Sequence, residues 1–132
     1  MVSCIVPVPA ERVKQMNPVV LAFVGDAVFT LCVRERLALA YGYKTGELNR
    51  RAAELVSAHG QSEAVERILP LLTEEEAEIY HRGRNAKKPT KSKNASVQEY
   101  VRSTGLEALI GYLYLTGNNA RMEELLFAEE NA

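Results

Sequence analysis

Pro18-Val19-Val20-Leu21-Ala22-Phe23-Val24-Gly25-Asp26-Ala27-Val28-Phe29 opens the longest apolar stretch of the chain and carries a single acid near its middle. Asn17 before Pro18 reads as an N-cap followed by proline at the first helical position, where φ is preset and no N–H is needed. The predicted helix runs to about Ala40, and Gly42 fits its end. An uncompensated carboxylate in an apolar helix costs several kcal/mol, roughly, unless a partner or a cation meets it. Gly25 beside it costs about another 1 kcal/mol against alanine. A sequence that keeps both has a use for both: glycine admits a close backbone, and aspartate supplies charge. Asp26 also leaves Val19 to Val33 too short and too polar at its centre for a membrane span.

Further helix signals follow outward from this stretch. Thr45 can cap a second helix through Leu48, Ala52, Leu55 and Val56, ending near His59-Gly60. Ser62 can cap a short third helix, Glu63 to Leu69, halted by Pro70. Thr73 with Glu76 forms a capping box, and Glu74, Glu75 and Glu76 suit the positive end of the helix dipole. Gly83 weakens the far end of that helix. Ser96 with Glu99 is a second capping box, opening a helix to Leu115 before Gly117-Asn118. A last short helix covers Arg121 to Phe127. No period-two strand pattern remains. The expected fold class is all-α, a helical bundle forming one domain over residues 1–132, with 1–16 as an N-terminal extension.

The 132 residues suffice to bury a core without staples. A net charge of −1 excludes a global basic field, so any nucleic-acid binding must come from a local patch. Cys4 and Cys32 form no CxxC and have no nearby histidine, which argues against a disulfide framework and against zinc. Met1 to Ala10 has neither the basic nor the apolar region of a signal peptide. The expectation is a soluble, cytoplasmic protein with no membrane partner.

The local patch is His81-Arg82-Gly83-Arg84-Asn85-Ala86-Lys87-Lys88-Pro89-Thr90-Lys91-Ser92-Lys93, which holds six Arg or Lys and no acid. Pro, Gly and Ser make residues 82–95 a basic loop. It is either a solvated connector or an arm that contacts phosphate. The acidic balance of the rest of the chain concentrates basic charge here.

Glu107 repeats the Asp26 pattern within Leu106-Glu107-Ala108-Leu109-Ile110-Gly111-Tyr112-Leu113, with Gly111 one turn later. If the two helices pack together, Asp26 and Glu107 could share a divalent cation. Few hard oxygen ligands completed by water suit Mg²⁺. Alternatively each acid sits at a solvent edge or pairs with an arginine, for which Arg34, Arg50 and Arg51 are candidates. Spacing does not decide between these. His59, beside Gly60, could be a helix-end cap or an acid–base group. Tyr100, Tyr112 and Tyr114 read as core or interface aromatics.

Phe23-Val24-Gly25-Asp26-Ala27-Val28 resembles the Phe-Leu-Gly-Asp-(Ser/Ala)-Val segment of the ribonuclease III signature. Glu107-Ala108-Leu109-Ile110-Gly111 resembles the family's second acidic segment. The two lie about 80 residues apart in the expected order, and the resemblance runs from Asn17 to about Leu126. The chain's length, with no double-stranded-RNA-binding domain, and Arg82-Gly83-Arg84-Asn85-Ala86-Lys87 resemble the mini-ribonuclease III branch. Two further acids of the full-length enzymes are absent: Ala22 and Thr104 stand in their places, as in the mini branch.

The resemblance implies a ribonuclease III endonuclease fold, a homodimer, and Mg²⁺-dependent hydrolysis of both strands of duplex RNA. Products would carry 5′-phosphate and 3′-hydroxyl ends. The implied substrate is precursor large-subunit (23S) ribosomal RNA, with a ribosomal protein as a candidate further partner. Asp26 and Glu107 would be the catalytic and metal-binding residues. Arg82, Arg84, Asn85, Lys87, Lys88, Lys91 and Lys93 would contact RNA. Two rivals are a catalytically inactive duplex-RNA-binding module on the same fold and an unrelated helical interaction protein.

Overall fold

The computed structural model describes residues 6–40, 42, 44–86 and 96–127, and every regular element among them is helical. The order is α1 (Ala10–Lys14), α2 (Pro18–Ala40), α3 (Thr45–Val56), α4 (Ala58–Ile68), a 3₁₀ turn (Leu69–Leu71), α5 (Glu74–Arg84), α6 (Val97–Leu115) and α7 (Asn119–Leu126). Among the described residues no helix is long and apolar enough to cross a membrane.

Helix α6 is the axis of the bundle. Every residue from Ser103 to Leu113 is buried, as expected of a helix apolar on all sides. Helices α2, α4 and α5 pack around it. Glycines set the closest approaches. A Cβ on Gly25 would fall 1.7 Å from the Glu107 carbonyl oxygen, and one on Gly111 would fall 2.1 Å from the Leu21 carbonyl oxygen. The backbones of α2 and α6 therefore touch at both points.

The expected start of α2 holds, since Asn17 Oδ1 accepts from the Val19 N–H at 2.8 Å. Both capping boxes are present, Thr73 with Glu76 and Ser96 with Glu99. Helix α6 ends in a Schellman arrangement. Gly117, at φ +78°, donates to Tyr114 O, and Asn118 donates to Leu113 O.

Other boundaries move. Helix α3 begins after Lys44, so Thr45 is its first residue and not its cap. It stops at Val56, where Ser57 turns extended and accepts from the Gly60 N–H to cap α4. Ser62, expected as a cap, lies buried inside α4. Gly83 is the second-last residue of α5. Its missing Cβ lets α5 approach Gly105 and Ala108 of α6. The last helix spans Asn119–Leu126. Within the N-terminal extension, α1 inserts fully buried Val13 into the core.

Candidate active site

Asp26 and Glu107 line one open cleft of about 430 Å³, together with Ala22, Phe23, Gln61, Tyr100 and Ser103. The touching glycines explain the convergence. Gly25 directly precedes Asp26, and its α-carbon rests on the Glu107 carbonyl. The sequence pattern of an acid beside a helix-contact glycine is thus one device used from both sides.

The two acids differ in environment. Glu107 is buried, and its Oε2 accepts from Gln61 Nε2 at 3.1 Å. Asp26 is exposed, on the α2 face that also carries Phe23 and Ala27. The expectation that both acids are embedded in apolar surroundings therefore holds for Glu107 and fails for Asp26. The cause is that α2 is covered on one side only: Phe23 is 81% exposed, Val20 45% and Leu31 39%. Of the candidate arginines, Arg50 and Arg51 both bind Glu47 along α3.

Ala22 and Thr104 add no charge. Ala22 is buried on the cleft wall. The Thr104 hydroxyl donates back to Tyr100 O at 3.1 Å. Two carboxylates from facing helices are hard oxygen ligands at low number, which fits a divalent cation that keeps most of its water, as Mg²⁺ does. Among the described residues no group of three or more His, Cys, Asp or Glu is placed to enclose a metal. The donor set thus suits an ion completed by water and substrate phosphate.

His59 is neither a helix-end cap nor part of this cleft. It sits in the first turn of α4 and bridges two acids, with Nδ1 at 2.5 Å from Glu99 and Nε2 at 2.8 Å from Glu63. The Glu99 hydrogen bond and the Glu63 charge hold its imidazole above the ordinary histidine range. Tyr112 is core, as expected, and its hydroxyl donates to Glu75. Burial and that carboxylate push its phenol well up. Tyr100 lies on the cleft and Tyr114 is half-buried. Cys32 is buried, and desolvation with the Glu35 charge pushes its thiol up to about 11, which removes it as a nucleophile.

The basic segment starts later than its composition suggests, since Arg82, Gly83 and Arg84 complete the last turn of α5. Arg82 is spent on structure. Its guanidinium donates to Lys14 O and Met16 O, tying α5 to the α1–α2 connection. Arg84 and Asn85 stand at the end of α5, with Arg84 Nη1 at 3.4 Å from Asn85 Oδ1. Lys87, Lys88, Lys91 and Lys93 lie outside the described residues.

The family described as Ribonuclease III domain matches residues 19–118, three quarters of the chain and inclusive of both acids. The chain belongs to the ribonuclease III family. Membership makes it an endoribonuclease on an all-α ribonuclease III scaffold. Among its relatives, the mini-ribonuclease 3 of a Thermoanaerobacter species is 43% identical over 116 residues, covering 88% of this chain and 82% of that one. The mini-ribonuclease 3 of Symbiobacterium thermophilum is 46% identical over 114 residues, 86% and 87% of the two chains. A crystal structure of a Fusobacterium nucleatum protein superposes with a TM-score of 0.80 at 31% identity, covering 90% of this ribonuclease III chain and 95% of that one.

Gln61 is the functional candidate that sequence reasoning missed. It falls between the expected end of one helix near His59-Gly60 and the expected cap Ser62 of the next. The available signal was its register: Gln61, Ala64, Val65 and Ile68 follow i, i+3, i+4, i+7, which puts an amide on an apolar stripe.

Proposed function

We propose that this ribonuclease III chain is a Mg²⁺-dependent endonuclease that hydrolyses both strands of duplex RNA as a homodimer, leaving 5′-phosphate and 3′-hydroxyl ends. The observation that carries this reading is the convergence of Asp26 and Glu107 on one cleft through the Gly25–Gly111 contact. A bound Mg²⁺ supplies a water of lowered pKa and neutralises charge developing on the phosphate. Glu107, held from Gln61, and Asp26 at the open side would hold it through acceptor-only oxygens. Val19 and Phe23 line the cleft beside Asp26.

The homodimer is supported by the uncovered stripe of α2. Val20, Phe23, Ala27 and Leu31 recur at helical spacing and are exposed beside the cleft. An apolar stripe of this kind is a candidate contact surface, and two-fold pairing would set two clefts against opposite strands of one duplex. Arg84, Asn85, Lys87, Lys88, Lys91 and Lys93 would grip the backbone, because A-form RNA is recognised mainly through shape and phosphate. The curated relatives carry the name mini-ribonuclease 3. On the resemblance to that branch, the biological substrate is precursor 23S ribosomal RNA in the cytoplasm, with a ribosomal protein as a further partner.

The apolar Ala22 and Thr104, whose hydroxyl donates to Tyr100 O, favour one second reading, a duplex-binding module without cleavage. Incubation with long duplex RNA, with and without Mg²⁺, separates the two. The proposed enzyme shortens the RNA only with Mg²⁺. Binding with intact product at all Mg²⁺ concentrations would establish the second reading.

A further inference from the structure

Gln61 is a polar residue where packing alone would select leucine or methionine. It is 2% exposed, on the α4 face turned to α6. Both hydrogens of its amide are used. One goes to Val56 O at 3.0 Å, at the end of α3, and the other to Glu107 Oε2 at 3.1 Å. Reversing the amide would set its oxygen against two acceptors, so this network fixes its orientation. Among the described residues its Oε1 is buried without a hydrogen-bond partner. That is a cost an apolar residue would avoid, and it points to a gain elsewhere.

The gain is visible at Glu107. Anchored by Val56 O, the amide pins one carboxylate oxygen and so fixes the carboxylate plane at the cleft. It is also a neutral donor. An Arg or Lys at the same place would cancel the charge that attracts a cation, whereas Gln61 orients it and leaves it whole. The shortage of acids gives this weight. With Ala22 and Thr104 contributing no carboxylate, cation affinity rests on two acids, and their orientation matters more than in a four-acid site.

We infer that Gln61 is a positioning residue for the metal site: by donating to Glu107 Oε2 it holds that carboxylate in the orientation that binds the divalent cation. This rests on the reading of Asp26 and Glu107 as metal ligands.

The test uses the full chain with Gln61→Met, and Gln61→Leu should methionine fold poorly. Both keep apolar volume and remove the donor. Free Mn²⁺ measured by electron paramagnetic resonance gives cation affinity in the absence of RNA. Cleavage against Mg²⁺ concentration gives the half-saturating value. Loss of an outer-sphere partner typically costs ten- to a hundredfold in metal affinity or activity. The variants should therefore bind Mn²⁺ about tenfold more weakly and need correspondingly more Mg²⁺, with cleavage restored at high Mg²⁺. Circular dichroism should stay native. A merely structural glutamine would move the melting temperature and leave both metal readouts unchanged, and that result overturns the inference. Asp26→Asn and Glu107→Gln run alongside. If Mn²⁺ binding survives in both, the metal reading falls and this inference with it. If they abolish binding while the Gln61 variants match the native protein, the inference alone fails.

Discussion

The α-carbon of Gly25 rests on the backbone carbonyl of Glu107, so that a Cβ on Gly25 would lie 1.7 Å from that oxygen. No side-chain rotation relieves a clash between two helix backbones, so α2 and α6 must separate if this glycine is lost. Gly25→Ala is expected to destabilise by about 3 kcal/mol or more, at the upper end of overpacking costs. Among the described residues nothing lies within 4 Å of a Cβ placed on Gly46. Gly46→Ala should be neutral or stabilising by up to about 1 kcal/mol. Urea melts of the two variants check both.

Arg121 and Glu76 form the second long-range tie. Arg121 donates from Nε and Nη2 to the two Glu76 oxygens at 2.8 Å each and also reaches Leu71 O. The Arg121 hydrogen bonds, against desolvation, hold the buried Glu76 carboxyl below its ordinary range. A depressed carboxyl contributes stability above its unfolded pKa and loses it as pH falls through the folded value. Arg121→Met strands a nearly buried charge, so about 3 kcal/mol should be lost at neutral pH. The deficit relative to native protein should shrink as pH falls through the depressed Glu76 value and the carboxylate protonates. Thermal melts from pH 3 to pH 7 test this.

His59 behaves with the opposite sign. Its imidazole pKa is raised by Glu99 and Glu63. The clasp between α4 and the start of α6 is therefore complete below the unfolded histidine value and is released as pH rises through the folded one. A nuclear magnetic resonance titration of the His59 ring should give a midpoint above that of free histidine. In Glu63→Gln the midpoint should move down, and an unmoved midpoint would show that Glu63 contributes nothing.

The basic segment should act through phosphate alone. Replacing Lys87, Lys88, Lys91 and Lys93 with alanine should weaken duplex binding alike for all sequences and flatten its salt dependence, because each phosphate contact releases counterion. Arg84→Ala should add to this effect. Arg82→Ala should instead lower stability, because its guanidinium holds the Lys14 and Met16 carbonyls. Filter binding at several salt concentrations, with melts of each variant, distinguishes the roles.

Local chemistry was what the sequence made legible. Asn17 with Pro18, Thr73 with Glu76 and Ser96 with Glu99 fix helix starts through contacts within four residues, and all three are present. The acid–glycine pairs were legible too, because each breaks the rules of an apolar helix and the breach itself is the signal. The α3–α4 break was not. Ser57 interrupts a stretch with helical spacing on both sides, and the turn there follows from packing that spacing does not show: α3 packs on α2 and α4, while α4 packs on α6. The hydrogen bonds of Gln61, Arg82 and Arg121 were not legible for a related reason: their partners lie 46, 68 and 45 residues away. The exposure of Asp26 follows from the uncovered side of α2, which no periodicity within one helix can reveal.

The central claim is that Asp26 and Glu107 perform chemistry and do not hold the fold. Its most direct measurement is Mg²⁺-dependent cleavage of long duplex RNA by Asp26→Asn and Glu107→Gln, with a binding titration and a melt on the same samples. Glutamine at 107 can still accept from Gln61 through its amide oxygen, and position 26 is exposed, so both variants should melt like the native protein. Cleavage should fall by at least about a hundredfold, the scale of losing one electrostatic element of an active site, while duplex binding persists. Native cleavage by either variant, or unfolding by about 3–5 kcal/mol as for a broken buried ion pair, would contradict the account.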